Sequence, residues 1–290
     1  MSNKLIEQVA YVRVGSRNLQ KHALFASEVI GLEKSRETDV EVSFRSDIRL
    51  RTLGLFDGDP SETSVGIEIP NERSLNEAAE KLAAAGFEVA CADHEQCQQL
   101  FVRRAIRTRD GSGNRIDLVI APFHAGRRFF PTRDAGVQGL QGVGLRSTDN
   151  DRDVQFWTKI LGARIADWAG GITYLNIDSQ HHRIALYPSD RNGVLYIAFT
   201  VEDLDNLMQS KYFVLDRQIK VVQGPGRQTA SNQMFMHFEG PEKNLYSFVT
   251  GIDIIDPARH RPRQFGSAND GLCAWGSVSE GVPELGAARR

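Results

Sequence analysis

Residues 19–33, "LQKHALFASEVIGLE", and residues 153–165, "DVQFWTKILGARI", carry the same pattern about 130 positions apart. Each is an amphipathic helical stretch halted by a glycine, Gly31 and Gly162, a usual C-terminal signal. The likeness extends further. "RSLNEAAEKLAAAGFEV" (73–89) parallels "EDLDNLMQSKYFVLDRQIKV" (202–221), and "DGSGNRIDLVIAP" (110–122) parallels "GPEKNLYSFVTGI" (240–252). A duplicated chain builds the same architecture twice. Between the helices run short alternating stretches such as "QVAYVRV", "SVGIEIP", "HRIALYP", "VLYIAFTV" and "QMFMHFEG", which read as strands. The expectation is an α+β protein. Each half holds two units of strand, helix and several strands, forming open, curved, mixed but mostly antiparallel sheets. The boundaries expected are 1–123, a Gly-, Arg- and Pro-rich linker at 124–139, a second domain at 140–254, and a tail at 255–290. The tail segment "DPARHRPRQFGSANDG" has no period and reads as loop, with "LCAWGSV" able to dock Trp275 on the body.

Composition narrows the function classes. The chain has 35 Lys and Arg against 37 Asp and Glu, a net charge of −2, so it lacks the basic footprint of a nucleic-acid binder. No apolar run is long enough to span a membrane, and "MSNKLIEQVAYVRV" lacks the apolar core of a secretory signal. Three cysteines, Cys91, Cys97 and Cys273, form an odd and sparse set that suits a reducing compartment. A soluble cytoplasmic protein is expected. The glycines of "GVQGLQGVG" do not lead into a helix with phosphate-loop spacing. There is no nucleophile elbow.

"SQHHRIAL" (179–186) raises the question of a metal or acid–base site, because His181 and His182 run straight into a strand pattern. Strand alternation puts the two rings on opposite sides, one toward the pocket and the other toward the far face of the sheet. This stretch, the repeated helix ending in "GL" or "LG", the 130-residue duplication and the late "AWG" together resemble the vicinal oxygen chelate superfamily (glyoxalase, bleomycin resistance protein and dioxygenase). The similarity is to its two-domain type I extradiol dioxygenases, which act on 2,3-dihydroxybiphenyl and related catechols. The resemblance implies four βαβββ modules in two tandem domains, each an open curved mixed sheet around a funnel. In that family the C-terminal funnel holds Fe(II), sometimes Mn(II), on two histidines and a glutamate, with one face free for catechol and O2. Family members are often multimeric, so the resemblance leaves a homo-oligomer open.

Carried onto this chain, the three ligand positions fall on Gly142, on Leu195 (Tyr196 one step away), and on Ser247. None is a usual iron ligand. In the N-terminal half, Asp117 answers to Ser247, but the positions near Gln8 or Tyr11 and near Ser64 bring no histidine. No metal and no other cofactor are therefore expected. Fe(II) belongs only to the alternative, in which the register is shifted and the chain is an ordinary ring-cleaving dioxygenase.

The resemblance leaves a polar pocket. His182 answers to the family's acid–base histidine and His237 to a tyrosine that bonds a catechol oxygen. Gln228 stands for another histidine and Tyr174 for an aromatic wall, with Leu195, Met236 and Phe238 at the rim. An apolar-rimmed polar cluster suits a small aromatic molecule, and imidazoles can move protons near neutral pH. Imidazoles alone do not activate O2. Two readings follow: a metal-free enzyme using His182 and His237 on a phenolic or catechol-like compound, or a non-catalytic binder of an aromatic ligand.

Overall fold

The computed structural model describes residues 4–256 and 258–286. The outermost parts of the first and last expected segments, 1–3 and 287–290, lie outside the described residues, as does position 257. The N-terminal half runs β1 (Gln8–Ser16), α1 (Leu19–Phe25), β2 (Glu33–Glu37), β3 (Glu41–Arg45), β4 (Leu53–Asp57), β5 (Thr63–Ile69), α2 (Glu72–Ala84), β6 (Ala90–Cys91), α3 (His94–Leu100), β7 (Val102–Arg109) and β8 (Arg115–Pro122). The C-terminal half runs β9 (Val137–Ser147), α4 (Asn150–Val154), β10 (Arg164–Ala169), β11 (Ile172–Asn176), β12 (Ile184–Pro188), β13 (Val194–Val201), α5 (Leu204–Asp216), β14 (Val221–Arg227), β15 (Met234–Glu239) and β16 (Leu245–Thr250). The tail adds β17 (Gln264–Phe265) and α6 (Asn269–Leu272).

These elements form two mixed sheets, ordered β2-β3-β4-β1-β5-β8-β7-β6 and β14-β15-β16-β13-β9-β12-β11-β10-β17. Each half is a pair of βαβββ modules. The first and last strands of a module pair in parallel, as in β1 with β4, β5 with β8, β9 with β12 and β13 with β16. Antiparallel pairs β1–β5 and β9–β13 join the modules. The duplication seen in the sequence is thus a duplication of topology.

Local chemistry explains the helices. The Asn71 and Asp203 side chains accept from the backbone N–H of Ser74 and Asn206, each at 2.9 Å, and so cap α2 and α5; such caps satisfy otherwise orphaned donors. Beyond α1 and α4 the chain widens into one π-helical turn, 26–30 and 155–160, and Gly31 and Gly162 then take left-handed backbone at φ 91° and 80°. One apolar cluster includes residues of both halves, from Leu5 and Phe44 to Leu207 and Phe248. A second fills the other face of the C-terminal sheet.

The tail departs from expectation in two ways. It is not all loop: β17 extends the second sheet by pairing in parallel with β10. Trp275 stays 47% exposed, and Leu272 and Cys273 are the residues that enter the second cluster, because the short α6 turns them inward instead. Among the described residues no helix is long and apolar enough to cross a membrane.

Candidate functional site

The interior of the C-terminal sheet is read one row at a time. Across neighbouring strands, His237 stands beside Ser247, Ser247 beside Ala198, and Ala198 beside Gly142. Gly142 cannot be another residue without moving backbone, since a Cβ there would lie 2.0 Å from the Arg183 carbonyl oxygen. The Ser247 hydroxyl is fully buried and donates to the Met236 carbonyl at 3.2 Å. Leu195 lies where the β9–β13 register slips, and Ala198 is the β13 residue that stands between Gly142 and Ser247. Two rows in from the same edge, the Tyr196 ring lies where a Cβ on Gly144 would be, 2.4 Å from its nearest carbon. This row offers one hydroxyl, already engaged, and no imidazole or carboxylate on the three central strands. A divalent cation does not fit it.

His181 and His182 sit before β12 begins, in the turn that follows β11, so strand alternation does not separate them. Both are buried. The His181 Nε2 lies 2.9 Å from Asp167 Oδ2, and the two Nδ1 atoms of His181 and His182 lie 3.1 Å apart. His182 Nε2 is buried with no partner. Gln141 Nε2 donates to the His182 carbonyl at 2.8 Å, which fixes the backbone. Burial above all, with the Arg183 guanidinium nearby, holds the His182 imidazole well below its usual pKa.

Asp167, on β10, is the anchor. Burial would raise its pKa, but hydrogen bonds from His181 and Arg263 outweigh that and hold it down at about 2. A carboxylate that stays ionised only accepts hydrogen bonds. His181 must then carry its proton on Nε2. With the His181 Nδ1 as acceptor of the 3.1 Å contact, His182 Nδ1–H is the donor and His182 Nε2 is left as a free lone pair.

From His182 a line of rings crosses the interior. Tyr174 stacks at a tilt 4.7 Å from His182, and its hydroxyl pairs with that of Tyr187. The Tyr187 and Tyr196 hydroxyls lie 3.5 Å apart, and the Tyr196 and His237 rings 4.7 Å apart. His237 is buried, its Nδ1 has no partner, and burial lowers its pKa to about 3. His182 and His237 are therefore in one interior but connected through three tyrosines.

Tyr174, Leu195 and His237 lie on or against this face. Gln228 is buried nearby, where it accepts from Ser231 Oγ at 2.7 Å and bridges to Cys273 of the tail. Met236 and Phe238 do not join them. They flank His237 on β15, so the two-residue period turns them to the opposite face, into the core shared by both halves. The sequence reading did not single out Asp167, Tyr187, His260 or Arg263. A carboxylate in the middle of the strand "RIADWA" is the one signal for the first, because a buried charge needs a partner.

Asp167, His181 and His260 bring donor atoms within 4.8 Å of one another. That is a two-histidine, one-carboxylate set, and none of its members belongs to the row of Gly142, Ala198 and Ser247. Its donors are engaged. Arg263 donates to Asp167 from its backbone N–H at 2.6 Å and from Nη2 at 2.6 Å, and His260 Nε2 lies 2.8 Å from the Ala166 carbonyl oxygen. The guanidinium already holds the place beside the carboxylate that a cation would take.

Comparison with known proteins follows the same lines. Residues 139–248 match the Glyoxalase/Bleomycin resistance protein/Dioxygenase superfamily. The chain is 24% identical over 264 residues to an iron-dependent extradiol dioxygenase of Rhodococcus jostii, covering 81% of this chain and 86% of that protein. It is 26% identical over 272 residues to 3-methylcatechol 2,3-dioxygenase of Pseudomonas putida, covering 88% and 92%. The Mn(II)-bound glyoxalase from Novosphingobium aromaticivorans superposes with a TM-score of 0.85 at 20% identity, over 99% of this chain and 95% of that one. Residues 139–248 thus carry the signature of that superfamily, and the fold of the chain is the one seen in the Mn(II)-bound glyoxalase.

Proposed function

We propose that this extradiol-dioxygenase-like protein acts on a small phenolic or catechol-like compound in its C-terminal half, with His182 as the base. The observation that carries this reading is the buried line Asp167–His181–His182, which ends on an unpartnered Nε2. An ionised carboxylate fixes the tautomer of the first imidazole, and that imidazole fixes the second. A neutral His182 then accepts a phenolic proton and returns it. His237 and Tyr174 line the ring's position, and the family's metal row takes no part. Since Leu272, Cys273 and Leu285 cover this face, substrate entry requires the tail to lift.

A second reading has specific support. The Asp167, His181 and His260 donor set and the names of the relatives favour a ring-cleaving dioxygenase that binds a metal at that cluster, with Arg263 displaced. The test is one preparation and two assays. Protein purified anaerobically is analysed for iron and manganese, and catechols and phenolic acids are screened for turnover with wild type and His182→Ala. Under the proposal, metal is substoichiometric and His182→Ala loses turnover while keeping most ligand affinity. About one metal per chain, with a yellow ring-opened product from 2,3-dihydroxybiphenyl, replaces it with the second reading. Binding without turnover in either form would make the protein an aromatic-ligand binder.

A further inference from the structure

One face of the N-terminal sheet carries a chemistry that the C-terminal site does not use. Two rows of side chains cross it. Arg13, Ser64, Arg115 and Arg109 are register neighbours across β1, β5, β8 and β7, and Tyr11, Gly66, Asp117 and Arg107 form the row beside them. Gly66 has no side chain, so the Tyr11 ring lies over it and its hydroxyl donates to Asp117 at 3.0 Å. Ser64 donates to the same carboxylate oxygen at 2.9 Å. Above these rows is a cavity of about 280 Å³, close to the lower end of the roughly 300–1,000 Å³ usual for small-molecule sites.

Its charges do not cancel. Four arginines face three carboxylates, Glu62, Glu88 and Asp117. Arg115 pairs with Glu62 at 3.3 Å and Arg109 with Glu88 at 3.7 Å. Asp117 is satisfied by the two hydroxyls, and Arg107 approaches its other oxygen only to 4.0 Å. Arg13 is stacked 4.8 Å from the Phe56 ring centroid, and its Nε is ion-paired with Glu41 Oε1 at 3.5 Å, a carboxylate that Arg51 also holds at 2.6 Å. Among the described residues neither Arg13 nor Arg107 makes a side-chain hydrogen bond. Arg107, with no partner nearer than Asp117 at 4.0 Å, and Arg13, which shares Glu41 with Arg51, line a cavity whose wall includes Phe56.

We propose that this N-terminal cavity binds a small aromatic carboxylate. Arg107 and Arg13 take the carboxylate, for which a guanidinium's fork of donors is matched, and Phe56 packs against the ring. The reading is independent of any chemistry at His182.

Isothermal titration with benzoate tests it, with acetate as the anion that has no ring. One benzoate is expected to bind per N-terminal cavity in the millimolar range or tighter, with acetate about tenfold weaker or more. Arg107→Ala is expected to weaken benzoate about tenfold, the usual scale for one charge-assisted hydrogen bond. Arg107→Lys, which keeps the charge and loses the fork, should fall between. No benzoate binding, equal affinity for acetate, or an Arg107→Ala protein that is folded by circular dichroism and binds benzoate as well as wild type each overturns the proposal. Should Arg107→Ala fail to fold, unchanged benzoate affinity in Arg107→Lys overturns it and a several-fold loss supports it.

Discussion

At the scale of single residues, the buried imidazoles dominate the pH response. Burial holds His22 at about 4 and His237 at about 3, with His182 also well down. These groups are neutral in the folded protein and protonate in the unfolded chain below the ordinary value near 6.5. The stability they allow is therefore full above that value and is lost as pH falls through the window down to the folded values. Each contributes a slope of up to about 1.4 kcal/mol per pH unit there. Asp110 works the other way. Burial and the neighbouring Asp153 raise it to about 7, so its contribution is present at acid pH and is lost as pH rises from about 4 to about 7. Three groups outweigh one, and urea melts are expected to show stability falling from pH 6.5 toward pH 4. His237→Gln should flatten that fall, and Asp110→Asn should steepen it. Asp167 is a separate case. Replacing it with alanine strips Arg263 and His181 of a shared acceptor, and a loss of roughly 3 kcal/mol is expected, measurable in the same melts.

At the scale of elements, the strands determine what the site can become. The carbonyl of Arg183 lies where a Gly142 side chain would begin, so Gly142→Ala is expected to lower stability by roughly 2 kcal/mol or more. The same contact bars a histidine at that position. Ser247→Glu introduces a carboxylate beside Ala198 and Gly142, neither of which can ligate, and is expected to bring no ring cleavage of 2,3-dihydroxybiphenyl and no gain in bound iron. Much of this level was legible in the sequence. The repeated helices, their glycine stops and the alternating runs all correspond to elements, because period and capping are local properties. The errors came where a local rule was carried past its element. Strand alternation sets His181 and His182 on opposite faces, yet they sit in a turn and share a hydrogen bond. Met236 and Phe238 were grouped with His237, although alternation within β15 sends them to the other side.

At the scale of the whole molecule, the two halves are one packed body. Phe25 of α1 lies 5.5 Å from the Tyr246 ring of β16, and His22 Nε2 is 2.5 Å from the Tyr246 hydroxyl. On the other side Ser112 donates to Asp153 and Asn114 to the Arg146 carbonyl. A single apolar cluster runs through both halves. The division at 124–139 is thus proposed as one of topology, and calorimetry is expected to give one cooperative unfolding transition. Phe25→Ala, which opens a hole at the joint, should lower that transition by roughly 3 kcal/mol without splitting it.

The amino-acid sequence by itself determined the duplicated α+β plan and the family likeness, since both depend on residue type and spacing along the chain. Only the tertiary structure joined Asp167, His181, His260 and Arg263 into one network and set Arg13 and Arg107 over a common cavity. Those groups are strands or tens of residues apart. What unites them is sheet register and the return of the tail along β10, which no local pattern encodes.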